Sequence, residues 1–139
     1  MRWPPSGRNA MPGNRYLLDT NALVALLQGH AGLLALADSA DWLGVSVINV
    51  LEFLGFDDLP EEDRLLFNAF VDRVFVVDLA LADSVLMSQI SQLRKSRAIK
   101  LPNAIVAASA VIHQASLVTN DSQLHKLAID NPSLMVEQF

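Results

Sequence analysis

The sequence contains no cysteine, and that absence excludes disulfides and thiolate metal sites together. It also lacks any apolar run near the ~18 residues that suggest a membrane span. Histidine is scarce: His30, His113 and His125 are too scattered for a zinc pattern, and lone histidines of this kind are read as structural or exposed. Ser46 and Ser109 have no serine–histidine–acid order around them. Charged residues make up 18% of the chain against 52% hydrophobic, which excludes global disorder and leaves enough apolar material for a core.

One local scarcity matters more than the totals. The net charge of -5 argues against a nucleic-acid partner when taken as a sum. From Ser84 to Asn120, however, there is no acidic residue, and Arg94, Lys95, Arg97 and Lys100 fall within that stretch. Two readings of the cluster stand side by side. Cations suit the negative end of a helix dipole, and they also suit a phosphate backbone.

The 139 residues fit one compact domain. Residues 1–14 are rich in Pro, Gly and Asn and carry no apolar segment, so they read as a disordered leader rather than a signal peptide, with Met11 as an alternative start. Residues 15–139 form the expected single domain, and the cytoplasm is the expected compartment. Within it, Tyr16-Leu17-Leu18 reads as a strand that ends at Asp19, and Thr20-Asn21 opens a helix to Leu27, closed by Gly29. A helix is expected over 32–40, a strand over 43–47, a short helix over 49–56 carrying Glu52, and an amphipathic helix over 61–72 with Leu65, Leu66, Ala69 and Phe70 inward. Residues 74–77 read as the clearest buried strand. Asp78 is then the expected cap of a long helix with an apolar stripe of Val85, Leu86, Ile90 and Leu93. A helix over 103–113 is apolar on nearly every face and therefore central. A strand over 116–119, a helix over 122–128 and a closing strand at Leu134-Met135-Val136 complete the chain. Alternating strands and helices imply a mainly parallel sheet between two helical layers, with any ligand pocket beyond the carboxyl ends of the strands.

That placement singles out the acidic residues near strand ends: Asp19 after the first strand, Asp78 after the third, Asp121 after the fourth, and Glu52 on the helix after the second. Hard oxygen ligands gathered at one pocket are what Mg²⁺ or Mn²⁺ requires, and such a metal can polarise a phosphate or generate hydroxide. Strand-end aspartates are also ordinary helix caps, so both readings stay open on spacing alone.

Four segments go further. Tyr16-Leu17-Leu18-Asp19-Thr20-Asn21, Ser46-Val47-Ile48-Asn49-Val50-Leu51-Glu52-Phe53-Leu54-Gly55, Lys100-Leu101-Pro102-Asn103-Ala104-Ile105-Val106-Ala107-Ala108-Ser109-Ala110 and Leu117-Val118-Thr119-Asn120-Asp121 resemble, in order and spacing, the motifs of PIN-domain ribonucleases. The VapC toxins of toxin–antitoxin pairs match the chain in size, and the resemblance runs from Arg15 onward. It implies a PIN-like three-layer α/β/α sandwich and an Mg²⁺-dependent endoribonuclease. It also implies an antitoxin partner, and a homodimer is compatible with it. By the same resemblance Asp19, Glu52 and Asp121 take the metal positions, Thr20 and Asn21 follow the first aspartate, and Thr119 precedes the last. Arg94, Lys95, Arg97 and Lys100 remain candidates for RNA contact.

Asn103 departs from the family, which places aspartate there. An asparagine offers a neutral carbonyl but no charge and no base. It can also be a plain helix cap. Three explanations stand side by side: a weakened or inactive natural nuclease, a nuclease working with three carboxylates, or an engineered inactive form of a toxic enzyme. The alternative function is a catalytically silent PIN-like module that binds RNA or protein. A smaller departure is Leu124-His125, where family members often carry an Asp-Phe pair. A receiver-like phosphoacceptor domain fits poorly, because the first strand ends in one carboxylate rather than an acidic pair.

Overall fold

A computed structural model describes residues 13–95 and 99–139. Most of the expected leader, and Arg97, lie outside the described residues. The chain order is β1 (Arg15–Leu18), α1 (Thr20–Leu27), α2 (Ala31–Ser39), β2 (Trp42–Ser46), α3 (Val47–Leu54), α4 (Glu61–Val71), β3 (Phe75–Val77), α5 (Ser84–Lys95), α6 (Leu101–Ile112), β4 (Ser116–Val118), α7 (Ser122–Asp130) and β5 (Val136–Glu137).

The strands pair in the order β3-β2-β1-β4-β5, and every pairing is parallel. Side chains alternate across a strand, so neighbours in sequence go to opposite helical layers. Leu17 and Leu117, paired in register, face one core with Trp42, Leu86, Ile90, Leu93 and the buried run of α6. Leu18, Val118, Leu43 and Val45 face the other, against α1, α2, Phe53 and Phe67. The result is the expected α/β/α sandwich. Helix α6 is its most buried helix among the described residues, continuously buried from Ala104 to Ala110.

At the amino ends of the strands Trp42 is sandwiched between Phe75 and His113, with ring centroids 5.4 and 5.2 Å away. The Arg15 guanidinium lies 5.0 Å from the indole and its Nε donates to the His113 carbonyl at 2.9 Å. Gly44, two residues along β2, is bare because a Cβ there would sit 2.5 Å from the Trp42 ring. Burial lowers the pKa of His113, and the neighbouring Arg15 charge adds to that, against a smaller opposing pull from Asp83.

Four local expectations are corrected. The strand expected at 74–77 is three residues long and lies at the sheet edge, with Phe75 46% exposed, because only β2 pairs with it. Asp78 does not start α5. The helix begins at Ser84, and Asp83 accepts from the Leu86 N–H at 3.1 Å. Val85 is consequently outside the buried stripe, 65% exposed, while Leu86, Ile90 and Leu93 are inside it. In α4 the anchor is Phe67, stacked on Phe53 at 4.0 Å, and this turns Leu65 and Leu66 outward. The closing strand forms two residues later than expected, at Val136–Glu137.

Candidate metal centre

The strand order reverses between β1 and β4, and open parallel sheets have their crevice at such a point. Asp19 leaves β1 and Asp121 follows β4. Glu52 comes from α3, and Asn103 from the first turn of α6. Together with Thr20, Asn21, Val24 and Phe56 these residues line one cleft of about 440 Å³, enough room for a hydrated cation and a phosphate group.

Asp19 caps α1 and is only 7% exposed. Its Oδ1 accepts from the Thr20 N–H at 2.9 Å and from Asn49 Nδ2 at 3.1 Å. Its Oδ2 accepts from Thr119 Oγ1 at 2.7 Å and Asn21 Nδ2 at 3.3 Å. Burial pushes this carboxyl above the ordinary aspartate range. Hydrogen bonds from Thr119 and Thr20 oppose the rise, and the negative charges of Glu52 and Asp121 add to it. Glu52 accepts from Thr20 Oγ1 at 2.6 Å. Asp121 caps α7, accepting from the Gln123 and Leu124 N–H groups at 2.8 and 3.4 Å, and its own N–H donates to Thr119 Oγ1 at 3.0 Å. Thr119 therefore ties the two strand-end aspartates together. Asn21 braces the same corner, donating to Thr119 Oγ1 at 3.2 Å and accepting from the Asn120 N–H at 3.2 Å.

Asn103 does not cap α6. Lys100 holds that position, and the proline beside it starts the helix earlier than Asn103. The Asn103 amide instead donates to Gln123 Oε1 at 2.7 Å. Gln123 was not apparent as a site residue in the sequence, and neither was Asn49. Asn49 is fully buried on α3, one turn before Glu52, and its Nδ2 lies within reach of Asp19, Thr20 and Glu52. The i, i+3 spacing of Asn49 and Glu52 was the available signal. His125 braces the corner, with Nε2 2.7 Å from the Thr119 carbonyl. Ser46 caps α3 and Ser109 bonds back along α6, which accounts for both serines.

The donor chemistry suits a hard divalent cation. The residues lining the cleft supply oxygen donors and no Lys, Arg or His. Among the described residues, no three acidic or imidazole side chains stand close enough to enclose an ion directly. The carboxylates are joined through Thr20, Asn49 and Thr119. Mg²⁺ commonly uses one or two carboxylates and keeps several waters, so this spacing fits it.

Arg94 and Lys95 are exposed in the last turn of α5, and exposed Lys100 stands about one turn before Asn103.

A family model for the PIN domain matches residues 16–130. The chain belongs to the PIN domain family. No curated protein matches the sequence. Solved structures agree with the PIN assignment at the level of fold. A chain in the Rickettsia felis VapBC2 structure, bound to a DNA fragment from their promoter, is 23% identical, with TM-score 0.69 and coverage of 89% of this chain and 98% of that one. A toxin–antitoxin complex from Klebsiella pneumoniae gives 22%, 0.67, 86% and 95%. DNA-bound VapBC from Salmonella typhimurium gives 20%, 0.68, 89% and 97%.

Proposed function

We propose that this PIN chain is a divalent-metal-dependent endoribonuclease, the toxin of a toxin–antitoxin pair, and that Asn103 lowers its activity. The observation that carries the reading is the gathering of Asp19, Glu52 and Asp121, from three separate elements, around one cleft at the switch point of the sheet. Asp19 and Asp121 would hold Mg²⁺ (or Mn²⁺), with Glu52 acting directly or through water. When bound, the cation supplies charge stabilisation at a phosphate and lowers the pKa of a water. The chain's own residues do the positioning. Thr119 fixes Asp19 and Asp121 relative to each other, Thr20 steers Glu52, and Asn21 holds the loop before Asp121. Arg94, Lys95, Arg97 and Lys100 would draw the RNA backbone toward the cleft.

An antitoxin has a track to follow. From the cleft, Val24 and Phe56 lead into a groove lined by Leu27, Leu59 and Leu66 with Asp57, Asp58 and Asp63 at its rim, and this continues past Leu34 and Phe70. An apolar segment bearing basic residues fits that track and would reach the cleft. This suits the toxin–antitoxin assemblies that share the fold.

A second reading, a silent RNA- or protein-binding module, is favoured by one specific contact: Asn103 and Gln123 form a neutral amide pair where the family has acid. Isothermal titration with Mn²⁺ separates the cation site from its absence. We expect one saturable site in the chain and its loss in Asp19→Asn. No heat of binding in the folded chain would remove the metal-centre reading.

A further inference from the structure

We propose that Asn49 is a cation-responsive amide latch on the metal centre: its NH₂ closes the site without metal, and its oxygen turns inward when a cation is bound. The inference rests on the metal-centre reading and adds a ligand to it.

The Asp19 carboxylate has about four acceptor positions, and all four are taken. Thr20 N–H and Asn49 Nδ2 engage Oδ1, while Thr119 Oγ1 and Asn21 Nδ2 engage Oδ2. A cation reaches Asp19 only if one donor withdraws. The Thr20 donor is backbone, fixed by the start of α1, and the Thr119 contact is short at 2.7 Å. Asn21 is committed on both ends of its amide, to Thr119 and to the Asn120 N–H. Asn49 is the donor whose withdrawal does most. Its single nitrogen lies 3.1 Å from Asp19 Oδ1, 3.0 Å from Thr20 Oγ1 and 3.4 Å from Glu52 Oε1. One NH₂ therefore stands at the meeting point of two carboxylates and a hydroxyl. Its departure opens one acceptor position on Asp19 Oδ1 and relieves a longer contact to Glu52, which keeps its bond from Thr20.

The other end of the amide points the same way. Asn49 Oδ1 is buried and has no hydrogen-bond partner, although buried polar groups are nearly always paired. No hydrogen bond on the outer side holds the oxygen in place. The charge on the inner side decides the orientation. A negative inner side draws in the NH₂. With a cation there, rotation about the terminal torsion presents Oδ1 as a neutral oxygen ligand, and the cation–oxygen bond offsets the loss of the three inner acceptors of the NH₂. Asn49 is in this sense a positioning residue without metal and a ligand with it.

The test is nuclear magnetic resonance of the ¹⁵N-labelled chain during a titration with Mg²⁺, which is diamagnetic. The expected result is that backbone N–H signals of Thr20 and Asp121 shift with saturation and the Asn49 side-chain NH₂ pair shifts with the same midpoint. Shifts at Thr20 and Asp121 with a stationary Asn49 pair would overturn the latch and leave the metal centre standing. Stationary signals everywhere would overturn both. A second measurement uses Asn49→Asp, which presents oxygen in either orientation. It should melt below the parent in EDTA, bind Mg²⁺ on the order of tenfold more tightly, and regain the parent's melting temperature in saturating Mg²⁺. An equal loss of stability with and without Mg²⁺ would make Asn49 a packing residue only.

Discussion

A single amide stands where the resemblance to PIN-domain ribonucleases implies an aspartate. Asn103 faces the cleft from the first turn of α6 but spends its NH₂ on Gln123. It adds no charge to the field of Asp19, Glu52 and Asp121. Aspartate there would add one, and Gln123 can turn its own NH₂ to meet it. Asn103→Asp should therefore tighten Mn²⁺ binding on the order of ten- to a hundredfold, the range of effects that ligand-supporting groups have on metal sites. Titration calorimetry on both proteins reads this directly, and equal affinities would place residue 103 outside the cation's influence. At this scale the sequence pointed to the acids and to Thr20, Asn21 and Thr119, which bond to them, but not to the two amides. Asp19, Glu52 and Asp121 sit at strand ends and in recognisable motifs. Asn49 had only its i, i+3 spacing from Glu52 to mark it, and Gln123 becomes visible only when folding brings it to Asn103.

Elements were legible where the periodicity was internal to them. The apolar run Tyr16-Leu17-Leu18 marked β1 as a strand, and the all-round apolar character of α6 led directly to its central place. Edges were not legible. Residues 74–77 read as buried because Val and Phe suit any strand, but sheet order leaves β3 with one neighbour and Phe75 half open. In α4 both Leu65-Leu66 and Phe67 could have pointed inward, and the stacking of Phe67 on Phe53 decided it. Two predictions belong to this scale. His113, capping α6 and stacked on Trp42, has a lowered pKa. The unfolded chain takes up the proton first, so this stability is present above the ordinary histidine range and is lost as pH falls through the lowered native value. Chemical denaturation at pH 7 and below should show that loss, and His113→Phe, which keeps a ring in the stack, should flatten it. An unchanged slope would move the pH dependence elsewhere. The cations between α5 and α6 give the second. Changing Arg94, Lys95, Arg97 and Lys100 to Ala together should weaken RNA binding and shrink its salt dependence, by about one unit of slope for each phosphate no longer neutralised. If the slope holds, the cluster serves the end of α5 alone.

For the whole molecule, the parallel sheet does one thing that matters to function: it delivers residues far apart in sequence to one crevice. Thr119 bonds Asp19 across 100 positions, and Glu52 enters from between them. The claim that this crevice is a metal-dependent nuclease centre is tested most directly by a time course of RNA cleavage, with Mg²⁺ and with EDTA. The proteins are the chain itself, Asn103→Asp, and Asn103→Asp combined with Asp19→Asn, at matched folding. The predicted result is slow or absent cleavage by the chain, faster Mg²⁺-dependent cleavage by Asn103→Asp, and loss of that gain in the double variant. Full activity of the chain in EDTA, or a rate that Asn103→Asp leaves unchanged and Asp19→Asn does not abolish, would contradict it.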